Sequence, residues 1–190
     1  AASLEAQINR MYNMLKDSME DARIDHLTQL PNYKGLIEIL ERETARAKRY
    51  NETFALGFVD FNKLTEYNNT YGHIQANHAI KKVSQNIRKS LRAQDAIARY
   101  GGDEFCFVLL KTDLESSKPI VERIKQNLDS LVIEDVVEGL PNENYKKVTV
   151  SIGITRLQGN ENYMDALNRA NKAMKEAKTN SRAVSSIVYI

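Results

Sequence analysis

Arg99-Tyr100-Gly101-Gly102-Asp103-Glu104-Phe105 sets two glycines and two acids between a pair of β-rich runs, 96–100 and 104–110. Gly-Gly is a good two-residue hairpin loop, so the segment reads as two adjacent antiparallel strands. Upstream, the apolar run Phe54-Ala-Leu-Gly-Phe-Val-Asp60-Phe61 reads as another strand, joined to the hairpin by a helix over 74–91. Downstream, the pattern predicts a helix over 116–131, a strand over 131–137, a loop with Gly139 and Pro141, a strand over 148–155, a helix over 163–178 and a last strand over 186–190. Strand, helix, strand, strand, helix, strand is the order of a ferredoxin-like sheet with helices on one face. The expected class is therefore α+β with a mostly antiparallel sheet, not a doubly wound parallel one.

Residues 3–24 contain no Gly or Pro and set Leu4, Ile8, Met11, Leu15, Ser18 and Ala22 at alternating steps of four and three, the spacing of a coiled-coil seam. Such a helix either pairs with its own copy or folds back on its own domain. The segment "DHLTQLPNYKG" at 25–35 ends it with Pro31 and Gly35, and a second helix follows over 36–50. The chain divides on this reading into a helical or linker segment, 1–24, and one domain, 25–190.

With 190 residues and 42% hydrophobic composition, one well-buried domain plus an appendage is the expected size. Lys and Arg total 27 against 25 acids, a formal charge of +2. That balance gives no global basic field of the kind that marks nucleic-acid binding, so any phosphate site is local. The single cysteine, Cys106, has no disulfide partner and reads as buried packing in a reducing compartment. No apolar run approaches the length that spans a bilayer, and no signal-peptide pattern opens the chain. A cytoplasmic chain without direct membrane insertion is expected, and the opening Ala-Ala leaves room for it to be the cytoplasmic part of a larger sensor protein.

Asp60 lies near the end of an apolar strand, where a carboxylate is costly unless it is paired or bound to a metal. If that strand neighbours the hairpin, Asp60 and Asp103 converge on one edge. Two carboxylates with water or phosphate oxygens make a suitable Mg²⁺ site, because that ion keeps octahedral oxygen ligation. A plain hairpin turn flanked by acids is the other reading of the same residues.

Together with "VDFNKLTEYNNTYGHIQANHAI" (59–80), "DHLTQLPN" (25–32), "RAQD" (92–95), "SIGIT" (151–155) and "NKAMKEAKTNSR" (171–182), the hairpin motif resembles the GGDEF family of bacterial diguanylate cyclases over residues 22–190. The resemblance implies a palm-like domain in which a homodimer condenses two GTP molecules into cyclic di-GMP, with Mg²⁺ or Mn²⁺, by 3′-hydroxyl attack on the α-phosphate. It implies that Asp60, Asp103 and the backbone carbonyl of Phe61 hold the metal. Asp103 also helps deprotonate the 3′-hydroxyl, and Glu104 is the adjacent motif acid. Gly101 and Gly102 let backbone approach a phosphate, which residues with a Cβ obstruct. Lys178 and Arg182 match the triphosphate cations, and Asn68 matches the asparagine that contacts guanine. Arg92 and Asp95 match an "RxxD" site where cyclic di-GMP binds and inhibits; a helix-end ion pair is the plainer reading. Gly72 and His73 match a structural "GH" pair.

Several positions depart from the family pattern. Thr65 follows Leu64 where the family has a lysine after a phenylalanine, so one phosphate-facing charge is missing. Asn62 and Asn69 each replace an acid. Asn77, after Ala76, stands where an aspartate reads guanine. An aspartate accepts from both N1–H and the 2-amino group, whereas an asparagine offers one acceptor and one donor group, a pattern that suits adenine at least as well. The expected function is thus a diguanylate cyclase. The alternatives are a relaxed cyclase that also uses ATP to make cyclic GMP-AMP, and a catalytically weak module for nucleotide binding or dimerisation.

Overall fold

The computed structural model describes residues 3–136, 148–180 and 184–190, with the backbone alone for 14–21. Five helices and five strands follow in the order α1 (Leu4–Asp21), α2 (Tyr33–Tyr50), β1 (Phe54–Phe61), α3 (Leu64–Ser90), β2 (Ala96–Arg99), β3 (Glu104–Leu110), α4 (Leu114–Asp129), β4 (Val150–Arg156), α5 (Tyr163–Asn180) and β5 (Ser186–Tyr189). The sheet runs β2-β3-β1-β4-β5. Its first three pairings are antiparallel and β4 pairs with β5 in parallel.

The ferredoxin-like unit is β1-α3-β2-β3-α4-β4, and its fourth strand is β4, not the strand expected over 131–137. Residues 131–136 carry one isolated bridge position, at Val132, and no strand. The buried side chain of Gln75 holds them instead. Its Nε2 donates to the Glu134 carbonyl at 2.9 Å and its Oε1 accepts from the Val136 amide at 2.9 Å, a pairing a strand neighbour would otherwise supply. Gly139, Pro141 and the end of that expected strand lie outside the described residues.

Helices cover both faces of the sheet, where the sequence pattern predicts one. On one face Val59, Phe105, Phe107 and Ile152 pack with α3 and α4 through Val83, Ile87, Ile124 and Leu128. On the other, Phe54, Leu56, Phe58, Cys106 and Val108 pack with α2 and α5 through Leu36, Leu40, Leu167 and Met174. The ferredoxin-like unit supplies the first layer, and α2 and α5, which flank it in sequence, supply the second. Central β1 is consequently buried at all eight positions, which explains why its sequence lacks the polar alternation of a half-exposed strand.

Local chemistry sets the helix ends. Asn32 caps α2 by accepting from the Gly35 amide, and Asn51 closes it in the left-handed conformation at φ 51°. Asp113 caps α4 through the Ser116 amide. The helix expected over 74–91 begins ten residues earlier, at Leu64, and bends at Gly72, whose φ of 79° only glycine adopts without strain. On α1, Leu4, Ile8 and Met11 are 72%, 57% and 64% exposed, so this part of the apolar stripe does not fold back on the domain. The side chains of Leu15 and Ser18 lie outside the described residues.

Gly153 of β4 is where α5 approaches the sheet. A Cβ there would lie 2.0 Å from the Met174 amide nitrogen and 2.3 Å from the Ala170 carbonyl oxygen, both backbone atoms. Gly153→Ala should therefore push α5 off the sheet and destabilise the domain by about 3 kcal/mol or more, at or above the upper end of ordinary overpacking. Urea denaturation of the variant checks this, and a midpoint equal to wild type would refute it.

Candidate active site

The sheet register brings two acids together. Asp60 lies opposite Glu104 on one side and Ser151 on the other. Alternation along the strands turns Asp60 and Glu104 to the α2/α5 face, as directly paired neighbours. Asp60 is 2% exposed, and its Oδ2 accepts from Lys178 Nζ, on the last turn of α5, at 2.7 Å. Burial first, then the adjacent Asp60 and Asp103 carboxylates, push Glu104 above the usual carboxylate range, while Lys178 and Lys175 pull it back. Three acids and two lysines thus share one electrostatic neighbourhood. The Asp103 carbonyl accepts from the Phe61 amide at 3.1 Å, which ties the acid-bearing turn to the end of β1.

The donor set consists of hard oxygens, as Mg²⁺ and Mn²⁺ require. Among the described residues no three His, Cys, Asp or Glu side chains form a ready metal cage. An ion here would complete its shell with backbone and ligand oxygens, the usual arrangement for Mg²⁺.

The hairpin glycines do not serve the turn. Neither Gly101 nor Gly102 has a positive φ, so the backbone conformation would accept other residues. A Cβ on Gly102 would meet nothing within 4 Å, and one on Gly101 would meet the Glu104 carboxylate at 3.1 Å. The first keeps open space open, and the second makes room for Glu104.

Arg99 fixes the hairpin. Its Nη1 donates to both Asp25 oxygens at 3.0 and 3.1 Å, its Nε to the Gly101 carbonyl at 3.1 Å and its Nη2 to the Gly102 carbonyl at 2.7 Å. Burial raises the Asp25 pKa, but hydrogen bonds from the Thr28 hydroxyl and amide, together with Arg99, hold it below the ordinary value. Tyr100 packs edge-on against Phe58 and Tyr33, with ring centroids 4.7 and 5.2 Å apart. Sequence reasoning assigned no role to Arg99, Asp25 or Gln75. All three lie in quoted motifs, but no spacing rule links Arg99 to Asp25, 74 residues away, or Gln75 to the backbone at 134 and 136. An open hollow of about 480 Å³ flanks the hairpin, lined by Asp25, Asn32, Lys34, Arg99, Gly101 and Gly102. Asp60 and Glu104 do not line it.

The remaining candidates are dispersed. Asn68 and Asn77 lie on the two arms of α3, either side of the Gly72 bend. Asn77 is exposed; Asn68 is half-buried, and its Oδ1 has no hydrogen-bond partner among the described residues. Thr65, Asn69 and His73 are exposed. Asn62 is buried, and its Oδ1 accepts from the Ser151 hydroxyl at 2.8 Å. Arg92 is exposed, while Asp95 is 3% exposed and its carboxylate accepts from the Arg92 and Leu110 amides at 3.0 and 3.2 Å. Asp95 therefore shapes the turn through backbone bonds instead of forming the helix-end ion pair of the plainer reading. Arg182 lies outside the described residues.

Residues 22–183 match the family described as diguanylate cyclase, GGDEF domain. Among curated proteins, the chain is 33% identical over 180 residues to the diguanylate cyclase DgcP of Pseudomonas aeruginosa, covering 95% of this chain and 26% of that protein. It is 28% identical to the diguanylate cyclase DosC of Escherichia coli, covering 92% of this chain and 38% of that one. The chain thus spans well under half the length of these relatives. Among solved structures, the GGDEF domain of DgcB from Caulobacter crescentus, in complex with c-di-GMP, superposes with a TM-score of 0.81 at 25% identity, over 89% of this chain and 96% of that one. Diguanylate cyclase SiaD of Pseudomonas aeruginosa, in complex with its activator SiaC, gives 0.80 at 28% identity, over 98% and 69%. With residues 22–183 matched and its fold superposed on these domains, the chain belongs to the GGDEF family of diguanylate cyclases.

Proposed function

We propose that the domain condenses two GTP molecules into cyclic di-GMP. The observation that carries this reading is the pairing of buried Asp60 with half-buried Glu104, with Asp103 beside them, at the edge of a hairpin whose Gly102 faces open space. Asp60, Asp103 and the Phe61 carbonyl would hold Mg²⁺ or Mn²⁺. When bound, such an ion neutralises triphosphate charge and polarises the α-phosphate. Lys178, and by resemblance Arg182, would hold the triphosphate. The 3′-hydroxyl of one GTP forms a bond to the α-phosphorus of the other, the bond to the β-phosphate breaks, and pyrophosphate leaves with the electron pair. The hydroxyl proton passes to the Asp103 carboxylate. A second, reciprocal attack closes the ring.

Each domain would hold one nucleotide, so two copies must face each other. The exposed Leu4, Ile8 and Met11 stripe on α1 offers a seam for a second copy. Arg92, exposed on its turn, would bind cyclic di-GMP as an inhibitor, with Asp95 shaping that turn. No helix among the described residues is long and apolar enough to cross a membrane, and the GTP supply of the cytoplasm suits this chemistry.

A second reading rests on Asn77. Its amide faces solvent on α3, where guanine's two donors would meet only one acceptor. On this reading the domain also accepts ATP and forms cyclic GMP-AMP.

Three measurements test these readings. Asp60→Asn should lower cyclic di-GMP formation at least about a hundredfold, since a lost metal contribution of several kcal/mol corresponds to that factor or more. The fold should survive, because Lys178 is 29% exposed and can hydrate; near-normal turnover would exclude the site. Arg92→Ala should abolish calorimetric binding of cyclic di-GMP, and unchanged affinity would remove the inhibitory site. Asn77→Asp should raise the ratio of kcat/KM for GTP over ATP by about tenfold or more, the equivalent of ~1.4 kcal/mol. An unchanged ratio would mean that Asn77 does not contact the base.

A further inference from the structure

Lys178 stands on the oxygen that a metal would need. Its Nζ lies 2.7 Å from Asp60 Oδ2, and the two side chains are 29% and 3% exposed. The carboxylate is thus almost sealed, while the ammonium keeps a route to solvent. Glu104 lies opposite Asp60 and Asp103 is close by. A buried carboxylate in that company is costly without a cation. Lys178 supplies one here.

We infer that Lys178 is a place-holder: its ammonium occupies the metal position on Asp60 until a metal–nucleotide complex arrives, then transfers to the phosphates. This inference rests on the metal-dependent cyclase reading above and concerns the order in which its parts assemble. Mg²⁺ or Mn²⁺ would need a carboxylate oxygen of Asp60 as ligand, so an ammonium at 2.7 Å from Oδ2 competes for the same lone pairs. It also repels the incoming charge. Lysine suits the exchange, being a compact charge on a flexible four-carbon stem. The backbone beneath it need not move, because the neighbouring Ala177 carbonyl accepts from the Ser186 hydroxyl at 2.7 Å.

Two consequences follow from the geometry. The empty domain keeps Asp60 compensated without metal, and metal alone binds weakly because it must displace Lys178 with no phosphate ready to receive it. Nucleotide and metal therefore bind cooperatively, each lowering the cost of the other's binding.

The test is Mn²⁺ binding to the chain, followed by electron paramagnetic resonance of the free ion, with and without a non-hydrolysable GTP analogue. Without nucleotide, Lys178→Met should bind Mn²⁺ about tenfold or more tightly than wild type, as expected for removal of a like charge next to the ion. Lys178→Arg, which keeps the charge, should stay near wild type. The analogue should enhance Mn²⁺ affinity more in wild type than in the methionine variant. Thermal melting gives a second readout: metal-free Lys178→Met should melt below wild type and recover on adding Mn²⁺. If that variant is unfolded without metal, Mn²⁺ should refold it, and failure to do so overturns the place-holder. Equal Mn²⁺ affinity in wild type and Lys178→Met also overturns it, while analogue-dependent Mn²⁺ binding by wild type would leave the metal site standing. Absence of Mn²⁺ binding under every condition would overturn both.

Discussion

A carboxylate sealed at the end of a doubly covered strand is the constraint on which the rest of the site depends. β1 has a neighbour on each edge and a helical layer on each face, so Asp60 has almost no access to bulk water. Its charge must be met by something the fold delivers. α5 delivers it: Gly153 lets the helix backbone close onto β4 at Ala170 and Met174, and Lys178, one turn beyond Met174 on the same side of the helix, then reaches Asp60. A missing methyl group on β4 and an ion pair on β1 are two ends of one packing arrangement.

The hairpin is held by a different means. Its glycines give the turn no conformational help, and its rigidity comes from Arg99, which binds two glycine carbonyls and Asp25 at once. Asp25 in turn organises the 25–30 turn, with Thr28 as donor and with backbone bonds from Asp25 to Leu30 and from Gln29 to Asp25. That turn is the exit of α1. The segment that follows the N-terminal helix is therefore tied to the acid-bearing hairpin through a half-buried guanidinium, whose side chain is 13% exposed. Planar, bidentate geometry is what arginine offers and lysine does not, so the hairpin's position depends on the residue type and not on charge alone.

Much of this was legible in the sequence, for identifiable reasons. Strands β1, β2 and β3 followed from apolar runs bounded by turn residues, and α2, α4 and α5 from their periodicity, each within a few residues. The strand expected over 131–137 failed because, of its described β-branched residues, only Ile133 is buried, and Gln75 of α3 takes the backbone bonds at 134 and 136, a long-range contact that local propensity does not encode. The second helical layer was missed because the strand-and-helix order specifies the ferredoxin-like unit and is silent about which face flanking helices take. Asp60 was found because an acid in an apolar run is anomalous by itself. Arg99 was not, because an arginine at a strand end looks ordinary until Asp25 is placed against it.

The asparagines separate two physical reasons for one kind of substitution. Asn62 is buried two residues from Asp60, and its side-chain oxygen still accepts the Ser151 hydroxyl. An aspartate there would add a second sealed charge beside one that already requires Lys178, so the amide preserves the hydrogen bond and avoids the desolvation cost. Asn77 receives no such relief. It is exposed on α3, where a carboxylate would be hydrated at little cost, and no described neighbour bonds its side chain. Burial therefore accounts for the amide at 62 and leaves the amide at 77 without an internal cause.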